Sequence, residues 1–156
     1  MKAAIVALIG LAFCASATPA SAQWETEIER DPITDKAKAR AWVKNDKGTL
    51  QIQCEQGDEW ALAFQPVEYL GGSRRNDIVI LRFDQDEPKK QSWLYLSRFA
   101  GTMEMKFVIP VLERLITAKS LTIRARKFDG ANLDATFDNW GYNDAFVRIR
   151  AVCRGN

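Results

Sequence analysis

Carboxylates are the main side chains of this chain that could support catalysis, because its 156 residues include no histidine. Without histidine the Ser-His-Asp and Cys-His arrangements and most zinc sites are excluded. Paired carboxylates occur in "DPITD" (Asp31 and Asp35) and in "DQDE" (Asp84, Asp86 and Glu87). A glycan hydrolase needs two such groups facing each other across a cleft. Acidic residues in turns are more often simply solvated, so we rank an enzyme last among the possible functions.

The same acidic segment bears on metal binding. "DQDE" lacks the glycine and the distant glutamate of an EF-hand calcium loop. The chain also has no S-x-x-K, no G-x-S-x-G and no phosphate-binding glycine loop. We therefore expect no metal and no cofactor.

The start of the chain has the features of a secretory signal peptide. A basic residue, Lys2, precedes an apolar run to Ala15, and a small-residue segment ends at Ala22. The run is too short for a membrane span, and cleavage is expected after Ala22. Cys14 could be read as a lipidated cysteine, but Phe13 stands where a small residue is normally required. Cys14 is therefore expected to leave with the signal peptide.

The remaining segment, Gln23–Asn156, is predicted to be a single domain. Its location is expected to be periplasmic or secreted, and it is expected to be soluble rather than membrane-spanning. The formal net charge of the whole chain is only +2, which gives no reason to expect nucleic acid as a partner. Its oligomeric state is not predicted.

Cys54 and Cys153 remain after cleavage, and in an oxidising compartment an even pair predicts a disulfide. A redox site would favour C-x-x-C, and a metal site would need more ligands than two isolated thiols. The bridge would close a loop of roughly a hundred residues, for which chain entropy gives about 4–5 kcal/mol as an upper figure. We predict a structural disulfide that ties the C-terminal helix to an early strand.

Alternating apolar and polar residues predict a mainly β fold, an antiparallel β-sandwich or partly closed barrel with two short helices. Thr49–Gln65 is predicted to be a hairpin. Strands are also predicted in "NDIVILRFD", which is apolar on both faces and therefore central, in "QSWLYLS" and in "GTMEMKF". Trp93 and Trp140 are predicted to lie in the core, whereas Trp24 is left open.

The segment "SLTIRARKFDGANLDATFD" predicts a hairpin whose register can be worked out. A two-residue Asp129-Gly130 turn would place the apolar sets of the two strands on opposite faces. A three-residue loop, Phe128–Gly130, instead pairs Ile123 with Ala135 and requires a left-handed glycine at 130. The same register sets Arg124 opposite Asp134, a favourable cross-strand pair, so we predict the longer loop.

Two segments have helical periodicity. The first has apolar residues at i, i+3, i+4, i+7 and i+8 from Val108 to Ile116, with Pro110 expected near its first turn, where a missing N–H costs little. The second runs from Tyr142 to Cys153, and Cys153 lies on its apolar face. Asp144 near its start and Arg150 near its end suit the helix dipole.

Arginines are the candidate binding residues. "YLGGSRRND" is predicted to be a mobile loop that carries Arg74 and Arg75, and the hairpin carries Arg124 and Arg126. The alternative for such residues is that they are outward-facing charges that keep a sheet edge soluble. A second basic strip is predicted on the C-terminal helix.

The second half of the chain resembles the type VI secretion-associated periplasmic proteins known as VasI or TagO. The resemblance is carried by "VILRFD", "SWLYLS", "AKSLTIRAR" and "ATFDNWGYNDAFVRIRAVC", in that order. Phe137, Gly141, Ala145 and Cys153 match the family's last motif, and Cys54 matches its partner cysteine after an apolar strand. The early "DPITD" after Trp24 is similar to the family's Pro-x-x-Asp segment, whereas the "GGSRRND" loop matches no pattern of the family.

The resemblance implies a non-enzymatic periplasmic accessory protein that acts through contacts with an envelope protein or with peptidoglycan. It carries over no catalytic residues. Two further kinds of binding protein remain as alternatives: a hydrolase inhibitor that resembles lysozyme inhibitors, in which the "YLGGSRRND" loop would block an active site, and an invasion-associated envelope protein.

Overall fold

The computed structural model describes residues 23–57, 59–71 and 73–154, and the predicted signal peptide lies outside them. Nine strands and two helices follow one another in the chain. They are β1 (Glu25–Arg30), β2 (Ala37–Lys44), β3 (Gly48–Glu55), β4 (Glu59–Pro66), β5 (Arg75–Phe83), β6 (Lys89–Leu96), β7 (Phe99–Thr102), α1 (Met105–Leu115), β8 (Ser120–Arg126), β9 (Asn132–Asp138) and α2 (Tyr142–Cys153).

The strands form one open antiparallel sheet in the order β1-β2-β3-β4-β7-β6-β5-β8-β9. The sheet curls, so that side chains from distant strands meet across its inner face. Phe64 on β4 lies 5.9 Å from Phe137 on β9, ring centre to ring centre. Near the same end, the Asn45 amide donates to the carbonyl of Thr136 at 2.7 Å. The mainly β prediction is confirmed, and the curled sheet encloses its own core.

The core follows from the alternation along each strand. Every second side chain along a strand is buried, and the side chains between them are more accessible. Val43, Leu50 and Ile52 are examples of the buried set. β5 lies inside the sheet as predicted, but its outer face is exposed, because 46% of Ile78 is accessible. Ile78 is therefore not covered by a second layer of the fold.

Both helices pack on the inner side. The buried residues of α1 are Val108, Val111, Leu112 and Leu115, and those of α2 are Tyr142, Ala145, Ile149 and Cys153. A disulfide joins Cys153 to Cys54 on β3. The predicted attachment of the C-terminal helix to an early strand is confirmed.

The hairpin β8–β9 has the predicted register. Ile123 pairs with Ala135 and Arg124 with Asp134. Lys127 donates to the carbonyl of Ala131 at 2.8 Å, which leaves a three-residue loop with Gly130 at φ 84°. The apolar sets of both strands therefore face the core together.

The predicted strand in "GTMEMKF" is wrong beyond Thr102. The Thr102 hydroxyl accepts from the backbone N–H of Glu104 at 3.2 Å, and the carbonyl of Glu104 accepts from Phe107 at 2.8 Å. These bonds turn the chain into α1, which begins at Met105. Met103 is exposed, so the alternation in this segment has no buried side.

Pro110 and Trp140 also differ from expectation. Because α1 begins earlier than predicted, Pro110 lies inside the helix rather than in its first turn and removes one backbone hydrogen bond. Trp140 is 59% exposed, since it precedes α2 in a turn, whereas Trp93 is buried as predicted. Trp24 is buried and packs edge-on against Tyr142 at 5.1 Å.

Candidate functional site

The carboxylates of "DQDE" form a structural clamp. Asp84 accepts from the backbone N–H groups of Lys119 and Ser120, both at 2.9 Å. Asp86 accepts two bonds from the guanidinium of Arg114, at 2.8 and 3.0 Å. These contacts tie the β5–β6 turn to the end of α1 and the start of β8.

The electrostatics of Asp84 agree with that role. Partial burial raises the pKa of its carboxyl, but the hydrogen bonds from Ser120 and Lys119 and the charge of Arg114 outweigh it, so the pKa lies below its usual value. A general acid at neutral pH needs a raised pKa. Asp84 is therefore arranged to stay ionised.

Asp31 and Asp35 do not form a facing pair either. The Asp31 carboxylate accepts from the N–H groups of Thr34 and Ile33, both at 2.8 Å, and these bonds hold its pKa below the usual value. Asp35 pairs with Arg30 at 3.2 Å. Both carboxylates shape the turn between β1 and β2.

Two loops that are far apart in sequence are joined at one end of the sheet. The N–H of Phe128, in the β8–β9 turn, donates to the carbonyl of Leu70, in the β4–β5 loop, at 2.9 Å. Lys127 pairs with Glu68 at 3.0 Å. A Cβ on Gly71, whose φ is 137°, would lie 2.8 Å from Cβ of Phe128, so this close approach requires glycine.

The joined loops present apolar side chains to solvent. Val67 is 75% exposed, Tyr69 48% and Phe128 69%. The rings of Tyr69 and Phe128 meet edge-on with centres 6.2 Å apart. We call Val67, Tyr69 and Phe128 the paired-loop patch. Exposed aromatic side chains such as these are enriched in protein interfaces.

A groove of about 600 Å³ adjoins the patch. Val67 and Tyr69 line it together with Lys44 and Arg98. The surroundings of the patch are therefore basic as well as apolar.

The four predicted binding arginines differ in their surroundings. Arg75 lies over the ring of Tyr95 at 4.8 Å, approaches Asp77 at 3.4 Å and donates to the carbonyl of Arg126 at 3.3 Å. It holds the two loops together. Arg74 is exposed, and its side chain has no ion pair among the residues that the structure describes.

The other two arginines lie on β8. Arg124 makes two bonds to Asp134, at 2.7 and 2.6 Å, which raise the pKa of the arginine and lower that of the aspartate. Arg126 is exposed, and its backbone N–H donates to the hydroxyl of Tyr95 at 3.1 Å. Arg124 is therefore committed within its hairpin, whereas Arg74 and Arg126 are exposed, the first on one of the joined loops and the second at the end of the strand that leads into the other.

Sequence reasoning missed Tyr69 and Phe128 as binding residues. The sequence did contain a signal, because the apolar side chains of Val67 and Tyr69 follow the end of β4 at Pro66. The neighbour of Tyr69 lies on another loop, however, and only the tertiary contact between Leu70 and Phe128 brings the rings together.

Metal-binding groups and membrane-spanning helices are both absent from the described residues. No group of three metal-binding side chains occurs in residues 23–57, 59–71 and 73–154. In the same part of the chain, neither helix has the length and apolar character needed to cross a bilayer.

Among known proteins, no family model, no curated protein and no solved structure matches this chain.

Proposed function

We propose that this chain is a non-enzymatic, exported binding protein of the cell envelope that contacts another protein through the paired-loop patch. The observation that carries the proposal is the pair of joined loops, which expose the rings of Tyr69 and Phe128 in contact with each other. Hydrogen bonds and an ion pair hold these loops before any partner binds. Binding through a surface that is already ordered avoids much of the entropy cost of ordering loops.

The hydrogen-bonding state of the carboxylates supports a non-enzymatic role. Asp84 and Asp86 are occupied by Arg114 and by backbone N–H groups, and Asp31 shapes its own turn. Neither pair faces a shared cleft in the manner that glycan hydrolysis requires.

The partner class follows from the resemblance and from the charge of the patch. The resemblance to type VI secretion-associated periplasmic proteins favours a component of that machine, with peptidoglycan as the other envelope candidate. Arg74, on the β4–β5 loop that also carries Tyr69, and Arg126, two residues before Phe128, favour a partner surface with an apolar centre and acidic edges.

A comparative pull-down tests the proposal. The tagged protein is crosslinked in the periplasm of its native host, and captured proteins are identified by mass spectrometry. A Tyr69→Ser/Phe128→Ser variant is compared with Ile33→Ser/Val147→Ser, which changes two exposed apolar residues elsewhere. We expect the first variant to lose the partner at least tenfold and the second to retain it. Equal capture by both variants would refute the patch as the contact surface.

A hydrolase inhibitor is the second candidate, because Arg74 projects from a loop and has no ion pair among the described residues. A guanidinium of this kind could enter an active-site cleft lined with carboxylates. Arg74→Glu should then abolish inhibition of a muramidase in a cell-wall lysis assay, with Arg148→Glu as the control on α2. Arg75 is unsuitable for this test, because its contacts with Tyr95 and Arg126 hold the loop itself.

A further inference from the structure

A second surface feature is a groove of about 460 Å³ between α1 and α2, within the range of small-molecule sites. Trp60 from β4 and Leu112 from α1 line it, and both are buried. Ile109 and Ile116 are also part of the lining and are partly exposed. The groove thus has apolar side chains from β4, α1 and α2 in its lining.

Hydrogen bonds join the two helices beside this groove. The Tyr142 hydroxyl donates to the carbonyl of Leu112 at 3.0 Å, and the Asn143 amide donates to that of Ile116 at 3.3 Å. Asn139 donates to the carbonyls of Leu115 and Ala118. The C-terminal end of α1 is therefore tied to the N-terminal end of α2.

The two arginines of the lining lie away from the tied end. Phe146 follows Tyr142 by one turn of α2, and Arg150 and Arg154 follow at the same i+4 spacing. Arg150 lies over the ring of Phe146 at 5.7 Å. Neither arginine has an ion pair among the described residues, and the one carboxylate of the lining, Glu113, lies on α1. The groove is thus positive where Arg150 and Arg154 line it.

We propose that the groove between α1 and α2 binds a single-chain anionic amphiphile, with the chain toward Ile116 and the head group at Arg150 and Arg154. The apolar side chains of the lining, Ile109, Ile116 and Phe146 among them, suit a hydrocarbon chain, and the volume suits a ligand of small-molecule size rather than a docked helix. A carboxylate or phosphate head would complement the two guanidinium groups. The site is separate from the paired-loop patch and does not depend on the protein contact proposed there.

Calorimetry and NMR on the exported protein test this assignment. The probes are dodecanoate and dodecyl phosphate below their micelle concentrations, with butyrate and dodecyl maltoside as the probes that lack the chain or the charge. Methyl labelling of isoleucine locates binding, because Ile109 and Ile116 line the groove and Ile78 lies on the outer face of β5. We expect one saturable site that shifts Ile109 and Ile116 but not Ile78. We expect binding at least tenfold weaker for dodecyl maltoside and none for butyrate.

Matched variants decide whether the groove itself is responsible. Ile116→Trp places a larger side chain in the groove at the tied end and should weaken dodecanoate binding at least tenfold. Ile78→Trp, at a similarly exposed isoleucine, should not.

Arg150→Glu/Arg154→Glu should weaken the binding of both anionic probes at least tenfold. Arg148→Glu, which does not line the groove, should leave that binding unchanged. If Ile116→Trp fails to fold, the arginine variants still decide.

Three results would overturn the proposal. They are the absence of saturable binding, shifts confined to residues outside the groove, and equal effects of the groove and control variants. Binding of an acidic amphipathic peptide by a protein that ignores both dodecyl anions would instead assign the groove to a protein partner. Preference for dodecyl phosphate over dodecanoate would point to a phospholipid-derived ligand, and the reverse to a fatty acid.

Discussion

At the scale of single residues, ionised side chains in this protein join elements of the fold. Asp84 shows this most clearly, because it has φ 48° and accepts from two backbone N–H groups at the start of β8. Aspartate and asparagine tolerate this left-handed conformation better than most residues. The type of residue at position 84 is therefore explained by backbone geometry together with its carboxylate contacts.

Replacing Asp84 by asparagine should reduce acid sensitivity. The folded-state pKa of Asp84 is lowered, so its ionised form contributes stability that is present above the unfolded value of 3.8 and is lost as pH falls through the lower folded value. Asp84→Asn keeps the backbone conformation but loses this contribution. Urea unfolding between about pH 6 and pH 2 should show lower stability at pH 6 and a shallower decline toward acid.

The control for that experiment is Asp46→Asn, which removes a charge from a side chain that is 81% exposed. It should leave the pH profile close to that of the parent. An unchanged profile for Asp84→Asn would mean that the clamp does not stabilise the fold.

At the scale of elements, register follows from the side-chain pattern together with turn chemistry. The β8–β9 hairpin is specified twice, because the apolar set requires Ile123 opposite Ala135 and the loop requires a left-handed residue at Gly130. In "GTMEMKF" only an alternation was present. The alternation competes there with hydrogen bonds that the Thr102 hydroxyl and the Glu104 carbonyl accept, and these bonds start a helix.

Gly130 provides the test at this scale. Gly130→Ala should destabilise the protein by about 1 kcal/mol, because Cβ disfavours the left-handed conformation, while the space around the position is open. Gly130→Asn should cost less, since asparagine tolerates that region. Equilibrium denaturation measures both. A loss for asparagine as large as that for alanine would contradict the conformational explanation.

At the scale of the whole molecule, the curl of the open sheet is held by contacts between elements that are distant in sequence. The disulfide joins Cys54 to Cys153 across 99 positions and fixes α2 against β3. Phe64 and Phe137 meet across the core, and Asn45 bonds to β9. These contacts hold α2 and β9 against the β2–β4 part of the sheet.

Removing the disulfide should be costly. Cys54→Ser is expected to lower the free energy of unfolding by about 2–4 kcal/mol, because the bridge restricts a long loop in the unfolded chain. Cys153→Ser and the double variant should have similar effects, since each breaks the same bond. Thermal and urea unfolding in the absence of reductant measure this. A much smaller loss for either single variant would show that the bridge contributes little.

The strands with a clear alternation, the disulfide, the hairpin register and the position of α2 could be predicted from the sequence. Local periodicity or the chemistry of a few residues specifies each of them. Trp140 and the start of α1 were mispredicted, because tertiary packing and a competing hydrogen-bond pattern decide them.

Which exposed side chains form surfaces depends on tertiary contacts. Arg74 and Arg75 are adjacent in sequence, yet Arg75 is held by Tyr95 and Arg126 while Arg74 is exposed. Tyr69 and Phe128 meet because two distant loops share a hydrogen bond. Such contacts depend on the strand order β6-β5-β8, because it places the start of β5 beside the end of β8, which is distant in sequence.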